Sequence, residues 1–231
     1  MPVIKIAAAI IAPAVFWVGY YYYKDRLRPE PLLRLLQAYF LGLAFGFLCY
    51  LFYQLLPLAG FSNTLTAALK SGRRVESLIY AVAGVGLVEE IFKFLPFAVF
   101  FLKAKCFDER IDGVVYSSAI AVGFASFENI GYLPAMKGFA FIGRALASPL
   151  THTIFSSIWG YTVGTAKMAG RPIWKAAAVG VSLAALVHGI YNFLTVSATL
   201  RILSALLILG IWIWLIRFLE RPEHPMSSSP L

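Results

Sequence analysis

Ala81-Val-Ala-Gly-Val-Gly-Leu-Val-Glu89-Glu90-Ile-Phe-Lys93-Phe-Leu-Pro-Phe-Ala-Val-Phe-Phe101 is long and apolar enough to cross a bilayer, yet it carries two adjacent acids and a lysine near its middle. Each ionised carboxylate at bilayer depth opposes insertion by roughly 2.5–3.5 kcal/mol, so such groups face a protein interior or a wet cavity and mark a functional site. This one stretch therefore sets both the class of fold and the place to look for chemistry.

On either side of it the chain repeats the apolar pattern. Apolar residues make up 60% and charged residues 13% of the 231, with mean hydropathy +0.78, the composition of an all-α polytopic transmembrane bundle. Seven candidate spans follow, at 4–23, 35–57, 78–101, 113–133, 149–168, 174–196 and 201–219. The segment 134–148, with Pro134, Lys137, Gly138 and Arg144, admits an interfacial helix or a re-entrant piece as well as a loop. Residues 1–220 read as a single integral membrane domain and 221–231 as a short polar tail.

Lys and Arg set the orientation. With the N-terminus outside, twelve of them fall in inner connections and seven in outer ones, with Lys93 inside a span. The bias predicts N-out and C-in. Net charge +9 is spread over these short connections rather than gathered in a stripe, which points to anionic lipid and not to nucleic acid. In the first span Lys24, Arg26 and Arg28 follow the apolar run and Tyr20–Tyr23 form an aromatic belt, features of an anchor rather than of a cleaved signal. Cys49 falls in a span and Cys106 in an inner connection, so no disulfide is expected.

Four polar groupings lie within the spans. Glu89 and Lys93 share a helix face by their i,i+4 spacing, with Glu90 about 100° away. Phe124 and Glu128 share another face, beside Gly123, Ala125 and Ser126, which permit close helix approach. His152 stands in Leu150-Thr-His-Thr, and His188 and Asn192 form a further i,i+4 pair. Asp112 is expected to cap a helix start. Measured from the outer span ends at ~1.5 Å per residue, Glu89, Glu128, His152 and His188 all fall in the outer half of the bilayer, as one cavity open to the outside requires.

At these residues the chain resembles the PrsW intramembrane proteases, relatives of the CAAX-prenyl endopeptidases of the ER membrane. Glu89-Glu90-Ile-Phe-Lys93 stands for EExxK, Phe124-Ala-Ser-Phe-Glu128 for FxxxE, His152 for an isolated motif histidine, and His188-Gly-Ile-Tyr-Asn192 for HxxxD/N. The likeness covers roughly residues 15–200. It implies a multi-pass protease of the bacterial cytoplasmic membrane acting on the extracytoplasmic side of a single-span substrate. The typical implied substrate is an anti-sigma factor, cut first in the cascade that releases a stress sigma factor. Asn192 stands where some members carry Asp.

Peptide hydrolysis needs an activated water, an oxyanion stabiliser and an acid for the leaving amine. Glu89 is the expected base, with Glu90 and Lys93 beside it and Glu128 or His152 positioning the water. His188 and Asn192 are the expected oxyanion donors, by analogy with the prenyl-protein endopeptidases. The same side chains Glu89, Glu128, His152 and His188 would also make a zinc site with an open water position, although no HExxH is present. The expectation leans to a metal-free glutamate mechanism. Two other classes share part of the pattern. An ion-coupled transporter also buries acids and histidines, but no internal repeat is visible. A silent scaffold would not need the whole set.

Overall fold

The computed structural model describes residues 3–60, 74–196 and 200–219. The predicted tail 221–231, and Lys70 and Arg73 of the second connection, lie outside them. Among the described residues the chain forms seven helical rods. These are α1 (Val3–Lys24), α2 (Leu32–Leu55), a broken rod of α3 (Arg74–Ile79), a π-helical turn (Tyr80–Gly86) and α4 (Leu87–Phe100), then α5 (Arg110–Tyr132), α6 (Gly138–Met168), α7 (Ile173–Val196) and α8 (Arg201–Leu219). Val3–Lys24, Leu32–Ala59 and Ile173–Val196 are long and apolar enough to cross a membrane by length and composition.

Burial runs opposite to that of a water-soluble domain. Large apolar side chains such as Val3, Phe40, Leu95, Val99, Trp174 and Leu206 are exposed, while Glu89, Glu90, Lys93, Ser118, Ser156 and His188 are buried. Exposed apolar surface on this scale is stable only where lipid covers it. The protein is a membrane protein.

Helix α5 lies at the centre, with every residue from Asp112 to Ser126 buried. Small residues make this packing achievable. A Cβ on Gly123 would meet the Tyr39 carbonyl of α2 at 1.9 Å, and one on Gly160 would meet the Gly113 carbonyl at 2.3 Å. Gly160 and Gly164, a GxxxG pair, thus bring α6 against α5 within one chain. Successive contacts, Gly160 with Gly113, Ser157 with Ser118 and His152 with Glu128, run in opposite directions along the two helices, which are antiparallel.

One prediction is corrected here. The span expected at 149–168 belongs to a 31-residue helix that begins at Gly138, so most of 134–148 is helical. Two features disguised it. Pro149 removes one backbone donor but is accommodated within the helix, and Arg144, whose charge suggested a connection, is paired with Glu128.

At the other end of α5, Asp112 caps the helix as expected, its Oδ2 accepting the Asp108 and Glu109 amides at 2.8 and 2.7 Å in a capping box with Glu109. Asp25, in the α1–α2 turn, accepts the Glu30 amide at 2.9 Å. Burial, with the charges of Glu30, Glu109 and Asp108 added, pushes its carboxyl up to about 7.

Candidate active site

The π-helical turn Tyr80–Gly86 immediately precedes the helix that carries the two acids. A π insertion changes the phase of everything after it and is common at functional sites. Here it coincides with the closest approach of this rod to α7: a Cβ on Gly86 would lie 2.3 Å from the Ala185 carbonyl, and one on Gly189 would lie 2.4 Å from the Val82 Cα. Backbone contact at Gly86 and Gly189 puts His188 directly opposite Glu89 and Glu90.

Glu90 is the hub. Its side chain is wholly buried and accepts four hydrogen bonds, from Lys93 Nζ (2.7 Å) and His188 Nδ1 (3.0 Å) on Oε1, and from Ser156 Oγ (2.8 Å) and Trp159 Nε1 (2.9 Å) on Oε2. The Glu89–Lys93 pairing expected from the i,i+4 rule is the longer of the two, at 3.8 Å. Lys93 turns instead to its i,i+3 neighbour, because Glu90 is the acid aimed into the junction of α4, α6 and α7. Among the described residues, Glu89 Oε2 is buried without a hydrogen-bond partner, 3.7 Å from His188 Nε2.

His152 comes to the same place from α6. Its Nε2 is 3.1 Å from Glu128 Oε2, and its Nδ1 is buried without a partner among the described residues. The two imidazoles meet edge to face at 5.2 Å, with Phe155 stacked on His188 at 4.6 Å. Phe124, the aromatic of the FxxxE pattern, sits beneath Lys93 Nζ at 4.7 Å and beside His152 at 5.9 Å, so it walls the site with a face that accepts the ammonium. Asn192 lies half-buried one turn beyond His188. It is outside the hydrogen bonds around Glu90.

The donor atoms have a pattern of their own. One atom each from Glu89, His152 and His188 lies within 4.8 Å of the other two. His188 gives one nitrogen to Glu90 and His152 one to Glu128, which leaves each ring a second nitrogen, that of His188 3.7 Å from Glu89 Oε2. A carboxylate behind each histidine and a lone pair in front is the arrangement that orients imidazoles toward a metal. Two histidines and one carboxylate match the ligand class of hydrolytic zinc sites. The residues fit a metal ion, with Glu128 one step back from the donor trio that sequence reading had it join.

Sequence reading missed several participants. Ser156 donates to Glu90, while Ser157 one residue on packs against Ser118 at 3.2 Å. Trp159 was not singled out. Arg144 reaches Glu128 Oε2 at 3.1 Å and Asn129 Oδ1 at 3.2 Å while covering the Tyr132 ring at 3.9 Å. A signal was available. Arg144, Ser148, His152, Ser156 and Trp159 follow the 4-4-4-3 spacing of a single helix face.

Comparison with known proteins agrees with the motifs. The pattern of the family described as "PrsW family intramembrane metalloprotease" matches residues 30–218. The chain is 34% identical over 226 residues to "Protease PrsW" of Oceanobacillus iheyensis, covering 96% of this chain and 97% of that one. Proteins of the same name from Geobacillus kaustophilus and Bacillus subtilis are 31% and 28% identical, each over 82% of this chain and over 79% and 82% of their own lengths. No solved structure matches.

Proposed function

Because the chain belongs to the PrsW family of intramembrane proteases, we propose that Glu89, Glu90, Lys93, Glu128, His152, His188 and Asn192 form its peptidase site, and that it cuts a single-span membrane protein, an anti-sigma factor, on the extracytoplasmic side. The convergence of Glu89, His152 and His188 carries the catalytic part of this reading. Substrate and sidedness rest on the motif resemblance and on the distribution of Lys and Arg.

Glu89, His152 and His188 would hold a zinc-class ion, which when bound supplies Lewis acidity to a peptide carbonyl and lowers the pKa of a water. Glu90 keeps the proton of His188 on Nδ1 and so keeps the Nε2 lone pair directed inward. Lys93 balances the buried charge of Glu90. Glu128 does for His152 what Glu90 does for His188, and Arg144 fixes Glu128 in turn. With its side chain 20% exposed, Glu128 is also the acid able to exchange a proton with water, and we assign it the transfer from the attacking water to the leaving amine. Asn192 is the donor we assign to the oxyanion.

A second reading dispenses with metal. The unpartnered Oε2 of Glu89 then takes the proton of the water itself as a general base. Purified protein, assayed on a co-reconstituted single-span anti-sigma factor with its zinc measured, decides between them. The metal reading expects about one zinc per chain, with cleavage lost on chelation and restored by zinc. Full cleavage by zinc-free protein overturns it in favour of the general base. Failure to cut any anti-sigma factor, with other single-span proteins cut, removes only the substrate assignment.

A further inference from the structure

We propose that the end of the bundle opposite the peptidase site holds a second site, for a calcium-class divalent cation, built from Asp25, Glu30, Glu109 and Asp112. Asp112 is sixteen residues from Glu128 on α5, about 24 Å at ~1.5 Å per residue, so the two sites share no ligand.

Carboxylate oxygens of Asp25, Glu109 and Asp112, one from each, lie within 4.8 Å of one another. A calcium ion binds oxygens at about 2.3–2.6 Å, so ligands on opposite sides of it stand roughly 4.6–5.2 Å apart. The spacing admits such an ion without moving the backbone, and the donors are all hard oxygens.

Acidic residues at a surface often cluster without a ligand. These are not at the surface: Asp25 and Glu30 are each 2% exposed and Asp112 is 1% exposed. The hydrogen bonds around them also stop short of completing the cluster. Asp25 spends Oδ2 on the Glu30 amide and Asp112 spends Oδ2 on the helix cap. Glu30 receives the Tyr116 hydroxyl on Oε2. Among the described residues, Asp25 Oδ1 and Glu30 Oε1 are buried with no hydrogen-bond partner. The Glu30 carboxyl also lies in hydrogen-bonding range of the Asp112 carboxyl and of the Cys106 thiol, so the acids crowd one another.

Arg28, with its side chain 68% exposed, pairs with Glu109 at 3.2 Å from the rim. Lys167 donates to the Phe107 carbonyl at 2.7 Å and covers the Phe107 ring. Three carboxylates on three segments, Asp25 of the α1–α2 turn, Glu109 of the α4–α5 connection and Asp112 of the first turn of α5, thus converge on a space that a divalent ion satisfies, with Glu30 buried beside them. Bound there, the ion clasps the two connections to the start of the central helix.

The test uses full-length protein in detergent, stripped with chelator and titrated with CaCl2 by calorimetry, with the melting temperature followed in parallel. Saturable binding of one ion per chain, accompanied by a rise in melting temperature, is expected. Asp25→Asn and Glu109→Gln should each weaken binding at least about tenfold, since affinity follows ligand charge count, and Glu89→Gln should not change it. No saturable binding up to about 10 mM, beyond the weakest calcium modules, overturns the proposal. So does binding that survives Glu109→Gln, or that disappears in Glu89→Gln and therefore belongs to the peptidase site. Glu109, at the rim, decides the matter if Asp25→Asn does not fold.

Discussion

Glu89 and Glu90 are neighbours in sequence with opposite roles in the structure, and Glu→Gln at each separates them. Glutamine offers one acceptor oxygen where Glu90 uses two. Whichever way the carboxamide turns, its NH2 meets either Lys93 and His188 or Ser156 and Trp159, all of them donors in the native arrangement. With the NH2 turned toward Lys93, that fully buried ammonium keeps only the 3.8 Å contact to Glu89 and the Phe124 ring, and with it turned the other way Ser156 and Trp159 lose their acceptor. Removing one partner of a buried ion pair costs about 3–5 kcal/mol. At about 2–4 °C per kcal/mol for a chain of this size, Glu90→Gln should lower the melting temperature by roughly 6–20 °C. Glu89 Oε2 has no hydrogen bond to lose, so Glu89→Gln should stay within about 1 kcal/mol of wild type while cleavage falls at least about 10²-fold, whether the group is ligand or base. The assay is intrinsic-fluorescence melting of detergent-purified protein beside cleavage of a reconstituted substrate. A Glu90→Gln protein that melts with wild type, or a Glu89→Gln protein that melts as early as Glu90→Gln was expected to, refutes this division of roles.

Arg144→Gln should leave the fold within about 1 kcal/mol, because the ion pair is partly exposed, yet cut activity about 10–100-fold through loss of the support behind His152. Arg144→Lys should not restore it, since only the guanidinium fork reaches both Glu128 and Asn129; wild-type cleavage in either variant contradicts this. Gly86→Val should destabilise the protein by at least about 1–3 kcal/mol in detergent melting, because a Cβ there stands 2.3 Å from the Ala185 backbone. Gly19→Val, on a helix where nothing lies within 4 Å, is the control that should melt close to wild type, and equal melting of the two variants would show that the Gly86 contact is not what holds the rod to α7.

The legible part of this protein was the part written in periodicity and in cost. Long apolar runs announce helices, and acids within them demand a site, so the bundle and the residues Glu89, Glu128, His152 and His188 could be read without coordinates. The start of α6 stayed open between helix, re-entrant piece and loop. Pro149 and Arg144 look like a connection until Glu128 and Asn129, contributed by another helix, supply the partners that make the arginine tolerable within a rod. The same limit hid the bonds of Glu90. An i,i+4 rule compares residues on one helix, whereas Ser156, Trp159 and His188 arrive from α6 and α7.

Two adjacent acids serve this site better than one because successive residues on a helix point about 100° apart. A single carboxylate could not both saturate Lys93, His188, Ser156 and Trp159 and keep a free oxygen toward His152 and His188. Glu90 spends its whole acceptor capacity on holding three helices and one imidazole in place. That leaves Glu89, one residue earlier, with an unpartnered oxygen at the point where the two histidines converge. The cost of burying the pair is therefore divided: Lys93 and the donors of α6 and α7 offset the charge of Glu90, and the desolvated oxygen of Glu89 is the one to which we assign the chemistry.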